Sequence, residues 1–411
     1  MADDIHDPDY LFKTLLEYLP DHVYVKDRDS RFVLLNQASA RAQGWTSPEE
    51  GVGKSNFDTY SAEAARQITA SERRILETGE PLLGVEEHLT SKNGEERWVS
   101  SSKIPLRGKE GQPIGTMGIS RDITEHKEAE LRALHYAREM VAIKEGMEED
   151  IRMAGELQKT FFPSTYPVFP AGASAAASCV EFLHRHLACG GLVSGDLCLI
   201  RKLSETSAGI FLSDVMGLGV RAALGTALIR AMVGELEPYA LDPGEYLERM
   251  NALLLPILRQ ADIRHSTTAC YLVVDVAAGR IRFANAGHPP PLYFDSRRQQ
   301  VRRLDAGDGQ EPPLAAVAGT TYATFSQAIA PGDAVALFTD GLVRVRGAGG
   351  EAFGAQRLLA CAERNRTAGL DDLFTALVDE ARAFANHGIF NDDVCIAGFK
   401  LRHVLGEGAA Q

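Results

Sequence analysis

Phe211-Leu212-Ser213-Asp214-Val215 is an apolar run that ends in an aspartate, and the same pattern recurs three times in the second half of the chain. In each copy an apolar run leads into or out of an aspartate that has glycine or another aspartate nearby. The other copies are Ser194-Gly195-Asp196, Leu337-Phe338-Thr339-Asp340-Gly341 and Asn391-Asp392-Asp393-Val394. Short apolar runs bounded by turn residues predict buried strands. Aspartates at the ends of such strands can converge at one edge of a sheet.

These aspartates predict a cation site. A buried carboxylate is costly unless it is paired or bound to metal. Converging carboxylates with few His or Cys residues nearby favour Mg²⁺ or Mn²⁺ over zinc, because these hard ions prefer oxygen ligands. Each Asp-Gly pair taken alone would more simply be a turn or a helix cap. The recurrence of the pattern favours the metal interpretation and leaves the choice between Mg²⁺ and Mn²⁺ open.

Seven segments between residues 156 and 400 extend this pattern. They are Glu156-Leu157-Gln158 to Phe162-Pro163, Val193 to Asp196, Ser213 to Val220 with Ala222-Ala223-Leu224, Asn285-Ala286-Gly287-His288-Pro289-Pro290-Pro291, Pro331-Gly332-Asp333, Thr339-Asp340-Gly341, and Asp392-Asp393-Val394. In this order they resemble the bacterial SpoIIE-like branch of the metal-dependent protein phosphatases, the PPM family. The resemblance implies an α/β domain built as an antiparallel β-sandwich flanked by helices.

The resemblance also implies a site with two divalent ions, Mn²⁺ or Mg²⁺. The implied catalytic residues are Asp196, Asp214, Asp340 and Asp392, and the implied metal-binding set adds Val215 and Asp393. Asp214 would bridge both ions with help from the Val215 carbonyl, and Asp393 would support the ligands. A water of lowered pKa would attack the phosphorus of phosphoserine or phosphothreonine in line.

Some residues of the resembling segments are better explained by turns or depart from the family pattern. His288 could protonate a leaving group. The Asn285 to Pro291 run instead favours a rigid turn in which His288 bonds to backbone. Asp333 is also interpreted as a turn residue. Departures from the common pattern are Leu199, Met216, Leu218 and Arg344. None of these four departures replaces a presumed metal ligand. We therefore expect them to affect substrate preference and regulation more than metal binding.

The first 125 residues predict a small α+β domain. Two strands, Val23–Lys26 and Arg31–Asn36, form a hairpin, and Asn93-Gly94 marks a turn between two later strands. With Leu19-Pro20-Asp21 before the first strand and Ser120-Arg121-Asp122-Ile123-Thr124-Glu125 at the exit, this segment resembles PAS domains, which sense ligands, redox state or light. It has no cysteine, which excludes a cysteinyl-flavin adduct. His22, His88 and His126 are expected at the surface or in hairpins, so the PAS ligand stays unknown.

The segment from Glu125 to Phe161 predicts one long helix. It is nearly free of Pro and Gly, and apolar residues recur in two series seven apart, interrupted by Asp150. The series are Ala133, Met140, Met147, Ala154 and Phe161, and Tyr136, Ile143 and Leu157. This spacing favours a parallel coiled coil between two protomers. An amphipathic helix packed on its own domain is the alternative.

Composition narrows the class of protein. The chain has 411 residues, with 43 Lys and Arg against 56 Asp and Glu, and a net charge of −13. This acidity argues against nucleic acid and anionic lipid as partners. No apolar stretch approaches the roughly 18 residues of a membrane helix, and the acidic start is unlike a signal peptide. Six scattered cysteines without a Cys-x-x-Cys pair fit buried thiols. We expect a cytoplasmic protein with no membrane or nucleic-acid partner.

Together these patterns predict an α+β multidomain protein with a PAS sensor (1–125), a coiled-coil signalling helix (126–163), a PPM phosphatase domain (164–402) and a tail (403–411). By resemblance it is a PAS-regulated protein serine/threonine phosphatase, a homodimer through the PAS domain and the coiled coil. Its substrate would be a phosphorylated STAS-type anti-sigma-factor antagonist in a bacterial stress or partner-switching pathway.

Three other functions are alternatives. A catalytically silent binding module would keep the same surface. A sensor histidine kinase is less favoured, because the segment after Asp214 reads Asp-x-x-Gly-x-Gly rather than Asp-x-Gly-x-Gly and His135 lacks an acidic neighbour. A diguanylate cyclase would need a Gly-Gly-Asp-Glu-Phe turn, which Gly190-Gly191 and Gly195-Asp196 do not supply.

Overall fold

The computed structural model describes residues 6–189, 193–217, 219–261, 266–304 and 311–406. The chain divides into two compact units, Met1–Ile143 and Lys144–Gln411. Leu218 and the Gly190-Gly191 pair, which entered the sequence analysis, lie outside the described residues. In the described part of the chain, no helix combines the length and the apolar character needed to cross a membrane.

The first unit is one antiparallel sheet with helices inserted between its second and third strands. Its elements are α1 (Pro8–Tyr18), β1 (His22–Asp27), β2 (Phe32–Leu35), α2 (Gln37–Ala42), α3 (Asn56–Thr59), α4 (Ala62–Thr78), β3 (Leu82–Thr90), β4 (Glu96–Arg107) and β5 (Pro113–Asp122). The strand order is β2-β1-β5-β4-β3. Two strands, helices and three strands confirm the arrangement predicted for a PAS domain.

Asn36 shows how the sequence fixes the start of α2. Its side-chain oxygen accepts hydrogen bonds from the backbone N–H of Ser39, which caps the helix, and from that of Val23 in β1. Asparagine is favoured at this cap because its short side chain reaches back to the unpaired N–H groups of the first turn. The residue therefore ties α2 to the sheet.

Helix α5 (Thr124–Lys159) contains the boundary between the two units. Only Gly155 and Gln158 are buried along its length. Several apolar residues of the predicted coiled-coil seam are largely exposed in the single chain: Tyr136, Met140, Ile143, Met147 and Leu157. The long helix is as the sequence predicts, and its pairing with a second chain stays a prediction.

The second unit is a sandwich of two five-stranded antiparallel sheets. The remaining elements are β6 (Val180–Leu187), β7 (Asp196–Lys202), β8 (Ser207–Val215), α6 (Val220–Met232), α7 (Pro243–Gln260), β9 (Thr267–Asp275), β10 (Arg280–Ala286), β11 (Leu292–Asp295), β12 (Gln300–Arg303), β13 (Phe325–Ala328), β14 (Ala334–Phe338), α8 (Gly354–Arg364), α9 (Leu370–Phe384) and β15 (Val394–Leu401). One sheet has the order β13-β10-β9-β8-β7, and the other has the order β12-β11-β14-β15-β6.

Three apolar clusters hold the layers of this unit together. The central cluster lies between the sheets and includes the buried thiols Cys198, Cys270 and Cys395. A second cluster packs α8 and α9 on the sheet that contains β14 and β15. A third packs α6 and α7 on the sheet that contains β7 and β8. The resulting helix-sheet-sheet-helix order confirms the sandwich that the family resemblance implies.

The helix after Asp214 is shorter than its pattern suggests. The sequence predicts a helix from Val220 to Leu236, whereas α6 ends at Met232. Gly234 follows, and Pro238 lies in a short 3₁₀ turn. A glycine weakens the helix and a proline cannot continue it, so apolar periodicity alone overestimates its length.

Candidate metal site

Four strand ends carry the predicted aspartates. Asp196 begins β7 and lies directly opposite Asp214 of the neighbouring strand β8. Asp340 follows β14 after one residue, and Asp392 and Asp393 immediately precede β15, which pairs with β14. Each sheet thus contributes one pair of adjacent strand ends. Antiparallel pairing places the end of one strand beside the beginning of its neighbour, so both pairs follow from the topology.

Hydrogen bonds join these ends across the sandwich. Thr339 donates its hydroxyl to Asp196 Oδ2 at 2.8 Å and accepts the backbone N–H of Cys395 at 2.8 Å. Asp393 accepts the N–H of Gly195 at 2.8 Å and that of Cys189 at 2.7 Å, one on each oxygen. Both oxygens of Asp393 therefore hold backbone in place.

Gly341 allows the close approach of the two strand ends in the β14–β15 sheet. A Cβ atom at this position would lie 1.8 Å from the carbonyl oxygen of Asp393. Any side chain would therefore push the Asp340 turn away from the Asp392-Asp393 pair. The glycine of the Thr-Asp-Gly segment is required by packing against a neighbouring backbone.

The carboxylates raise one another's pKa. Burial, reinforced by the charge of Asp214, raises the pKa of Asp196 well above its ordinary value. Burial, with added repulsion from Asp340, Asp392 and Asp393, raises the pKa of Asp214 to about 7. Burial also raises the pKa of Asp340 and that of Asp392. Desolvation and like-charge repulsion both disfavour the ionised carboxylates. The positive charge of a bound cation would favour the ionised form and so lower these pKa values again.

One basic side chain opposes this repulsion. Arg344 Nε lies 3.1 Å from Asp340 Oδ2. Its charge acts to lower the pKa of Asp340, of Asp392 and of Asp214, although burial keeps all three raised. From the sequence pattern alone, Arg344 is only a departure from the family pattern.

The donors of this cluster fit a hard divalent cation in their chemistry. All are oxygens, and Asp340 Oδ1 is buried without a hydrogen-bond partner. Among the described residues, no group of three or more His, Cys, Asp or Glu side chains is arranged to hold an ion as the side chains now stand. The four aspartates therefore supply suitable ligands that would have to turn toward an ion.

Gln158 belongs to the first of the seven resembling segments, and its contacts show a role that the sequence pattern does not indicate. This buried residue near the end of α5 donates from Nε2 to the carbonyl of Ser194 at 2.6 Å and to Thr226 Oγ1 at 2.8 Å. Its Oε1 accepts the N–H of Ser194 at 2.7 Å. One amide therefore connects the long helix, the segment that leads into Asp196, and helix α6.

Asn285 and His288 have structural contacts. The Asn285 side chain bonds to both the N–H and the carbonyl of His288, and His288 Nδ1 lies 2.9 Å from Thr268 Oγ1. Burial lowers the pKa of His288 to about 3. These contacts are structural, as the turn interpretation expects, and the ring also bonds to the Thr268 hydroxyl through Nδ1. Asp333 is also structural, since it accepts bonds from Tyr293, Ser296 and Ala330.

The other departures from the family pattern differ in their surroundings. Leu199 is buried in the cluster beneath α6 and α7, where it packs as an ordinary core residue. Met216, directly after Val215, is 58% exposed. Neither side chain carries an oxygen that could bind a cation.

The first unit encloses a small polar cavity of about 30 Å³. Its lining includes Lys26 and Lys103, both buried, which pair with Glu72 at 2.5 Å and with Glu87 at 3.0 Å. His22 also lines it and is half-buried at the start of β1, within the β1–β2 hairpin, which is one of the two expected positions. A volume of this size suits one or two waters. No local sequence pattern indicates these buried ion pairs.

Comparison with known proteins agrees with the two folds. Residues 204–402 match the family model of stage II sporulation protein E (SpoIIE), and residues 16–128 match that of the PAS fold. The chain joins a PAS domain to a SpoIIE-family domain. The SpoIIE-family match begins in the turn before β8 and ends one residue after β15, so it includes Asp214, Asp340 and Asp392.

Two curated relatives come from Bacillus subtilis (strain 168). Phosphoserine phosphatase RsbP is 30% identical over 152 residues, which cover 37% of this chain and 37% of RsbP. Phosphoserine phosphatase RsbU is 27% identical over 154 residues, covering 38% of this chain and 44% of RsbU. The match thus spans less than half the length of each relative.

A solved structure supports the sandwich fold. The PP2C domain of SiaA from Pseudomonas aeruginosa aligns with a TM-score of 0.52 and 21% sequence identity. The alignment covers 63% of this chain and 98% of that domain. At this identity the likeness concerns the fold alone.

Proposed function

We propose that this chain is a PAS-regulated, metal-dependent protein serine/threonine phosphatase. The observation that carries the proposal is the group of carboxylates at adjacent strand ends of a SpoIIE-family sandwich, where their pKa values are raised by burial and mutual repulsion. Such a group is costly without a cation. RsbP and RsbU, the relatives described above, are phosphoserine phosphatases by name.

In the proposed site Asp196, Asp214, Asp340 and Asp392, with the Val215 carbonyl, hold two Mn²⁺ or Mg²⁺ ions. Such ions, when bound, lower the pKa of a water nucleophile and stabilise negative charge on a transferring phosphoryl group. The chain's own contribution is to orient the ligands. Thr339 fixes one oxygen of Asp196, and Asp393 holds the N–H of Gly195.

The test is Mn²⁺-dependent hydrolysis of an aryl phosphate by the full chain, which avoids any need for the protein substrate. We expect activity that requires metal and is lost in Asp214→Asn. Asp275→Asn is the matched control, because Asp275 ends the neighbouring strand β9 away from Asp214 and accepts turn N–H groups that an asparagine oxygen can also bind. Absence of both hydrolysis and Mn²⁺ binding would favour a catalytically silent binding module.

We further propose the domain arrangement 1–125 PAS sensor, 126–163 signalling helix, 164–402 phosphatase and 403–411 tail. The substrate class would be a phosphorylated STAS-type anti-sigma-factor antagonist, by analogy with the named relatives. Dephosphorylation of such a protein, phosphorylated at serine, by the full chain but not by Asp214→Asn would test this assignment.

The dimer proposal rests on α5. Met140, Ile143 and Met147 are each about 60% exposed, which leaves an apolar seam for a second copy. Asp150, also exposed, interrupts the seam. Asp150→Leu should tighten self-association in sedimentation measurements and shift basal phosphatase activity. Unchanged association and unchanged activity would contradict a coiled-coil transmitter.

A further inference from the structure

Arg344 is held beside Asp340 by the local backbone. The N–H of Arg344 donates to the carbonyl of Asp340 at 2.8 Å, four residues earlier, which closes one helical turn. Residues four apart on such a turn share a face. The guanidinium Nε therefore reaches Asp340 Oδ2 at 3.1 Å while the Arg344 side chain stays 71% exposed.

This contact gives the two carboxylate oxygens of Asp340 different surroundings. Oδ2 faces Arg344, whereas Oδ1 is buried without a hydrogen-bond partner. The charge of Arg344 also acts on Asp214 and Asp392. One exposed guanidinium thus offsets part of the negative charge of three carboxylates.

We propose that Arg344 is a tethered counter-ion that competes with the divalent metal for Asp340 and thereby sets the metal affinity of the site. This inference rests on the proposed function. In the metal-free protein the guanidinium neutralises Asp340. A metal ion must take Asp340 from this pair and bind beside a fixed positive charge. Compared with a chain that carries an acid here, this protein therefore needs a higher concentration of free metal.

The experiment is a calorimetric Mn²⁺ titration of the full chain at low salt. A unit charge about 6 Å from a divalent ion in water changes its affinity roughly tenfold. We expect Arg344→Gln to bind Mn²⁺ about tenfold more tightly and Arg344→Glu about a hundredfold more tightly, by the same Coulomb estimate. Arg344→Lys keeps the charge and should bind like the wild type. The differences should shrink at high salt, because Arg344 is exposed.

Arg364→Gln is the matched control. Arg364 is also exposed and pairs with one carboxylate, Glu380 at 2.7 Å, on the helices α8 and α9. Its loss should leave the Mn²⁺ affinity unchanged. Thermal unfolding without metal gives a second readout: Arg344→Gln should unfold at lower temperature than the wild type, since the carboxylates lose their counter-ion, and added Mn²⁺ should raise its midpoint by more.

Three negative outcomes would contradict the proposals, and they have different meanings. Equal Mn²⁺ affinity of the wild type, Arg344→Gln and Arg344→Glu would overturn the counter-ion role while leaving a metal-dependent enzyme intact. Equal tightening in Arg344→Lys and Arg344→Gln would also overturn it, because the effect would not follow charge. Failure of every protein, including the wild type, to bind Mn²⁺ would instead overturn the proposed function.

Discussion

Replacing Gln158 with leucine should destabilise the second unit, because its amide is the partner of three buried polar groups. These are the N–H and carbonyl of Ser194 and the hydroxyl of Thr226, at 2.6 to 2.8 Å. Gln158 is 4% exposed and Ser194 is fully buried, so water is a poor substitute. Leucine keeps most of the side-chain volume and removes all three bonds.

The magnitude follows from these contacts. Each intramolecular hydrogen bond contributes about 1 kcal/mol net, and a buried group left without a partner costs about 1–3 kcal/mol. Burial of additional apolar surface by leucine offsets part of this loss. We expect Gln158→Leu to lower the free energy of unfolding by about 3 kcal/mol. Gln158→Glu should be at least as harmful, since a carboxylate cannot donate to Ser194 or Thr226.

The positions of the tryptophans allow the two units to be followed separately. Trp45 and Trp98 are the only tryptophans of the chain, and both lie in the first unit. Urea unfolding should therefore show a shifted transition in far-UV circular dichroism and an unshifted one in tryptophan fluorescence. Gln356→Leu, on the exposed surface of α8, is the control and should change stability by less than about 0.5 kcal/mol.

A circular dichroism transition of Gln158→Leu that coincides with that of the wild type would refute this reasoning. It would mean that the Ser194 backbone finds other partners at no cost. A shift in stability should be accompanied by weaker Mn²⁺ binding, because Ser194 precedes the Gly195-Asp196 pair and its hydroxyl accepts the Asp196 N–H at 3.0 Å.

Other perturbations test the remaining contacts. Lys26→Met should destabilise the first unit by about 3–5 kcal/mol in tryptophan-monitored urea unfolding, because the buried Glu72 loses its charged partner and keeps only the amide of Asn56. Adding Glu72→Leu should recover most of the lost stability, and full additivity of the two changes would contradict the pairing. Gly341→Ala should abolish Mn²⁺ binding measured by calorimetry, since its Cβ would overlap the Asp393 carbonyl; wild-type affinity would show that the turn can shift freely. His288 has a folded pKa of about 3 against about 6.5 when unfolded, so the unfolded state binds more protons between these values and stability falls as pH falls through this window. By that linkage the free energy of unfolding at pH 5 is about 2 kcal/mol lower than at pH 7. The measurement is urea unfolding at both pH values. An equal decrease in His288→Gln would exclude His288 as the source of the pH dependence.

The strand ends of the site were predictable because local signals agreed. Apolar runs that stop at Asp214 and Asp340, or begin after Asp196 and Asp393, predict buried strands, and the structure places strands there. Antiparallel neighbours then bring Asp196 beside Asp214 without further information. The ends of continuous apolar runs thus predict which residues end each strand.

Contacts between distant segments were not predictable in this way. Lys26 and Glu72 are separated by 46 residues, and Gln158 and Thr226 by 68. Each of these side chains is polar, and a polar residue in a single sequence is more often exposed than buried. Only the packed structure shows that they satisfy one another, so sequence patterns gave them no role.

The carboxylates at the site differ in how many hydrogen-bond or ionic partners their oxygens already have. This difference separates the carboxylates that position backbone from those that can bind a metal ion. Both oxygens of Asp393 accept backbone N–H groups, and Oδ2 of Asp196 accepts Thr339. Asp340 keeps one buried oxygen without a partner and shares the other with an exposed, displaceable guanidinium. A ligand that binds metal must exchange its present partner for the ion, so fewer and weaker partners mean a smaller cost of exchange. On this reasoning Asp340 is well placed to bind an ion, whereas Asp393 serves the site best by holding Gly195 still.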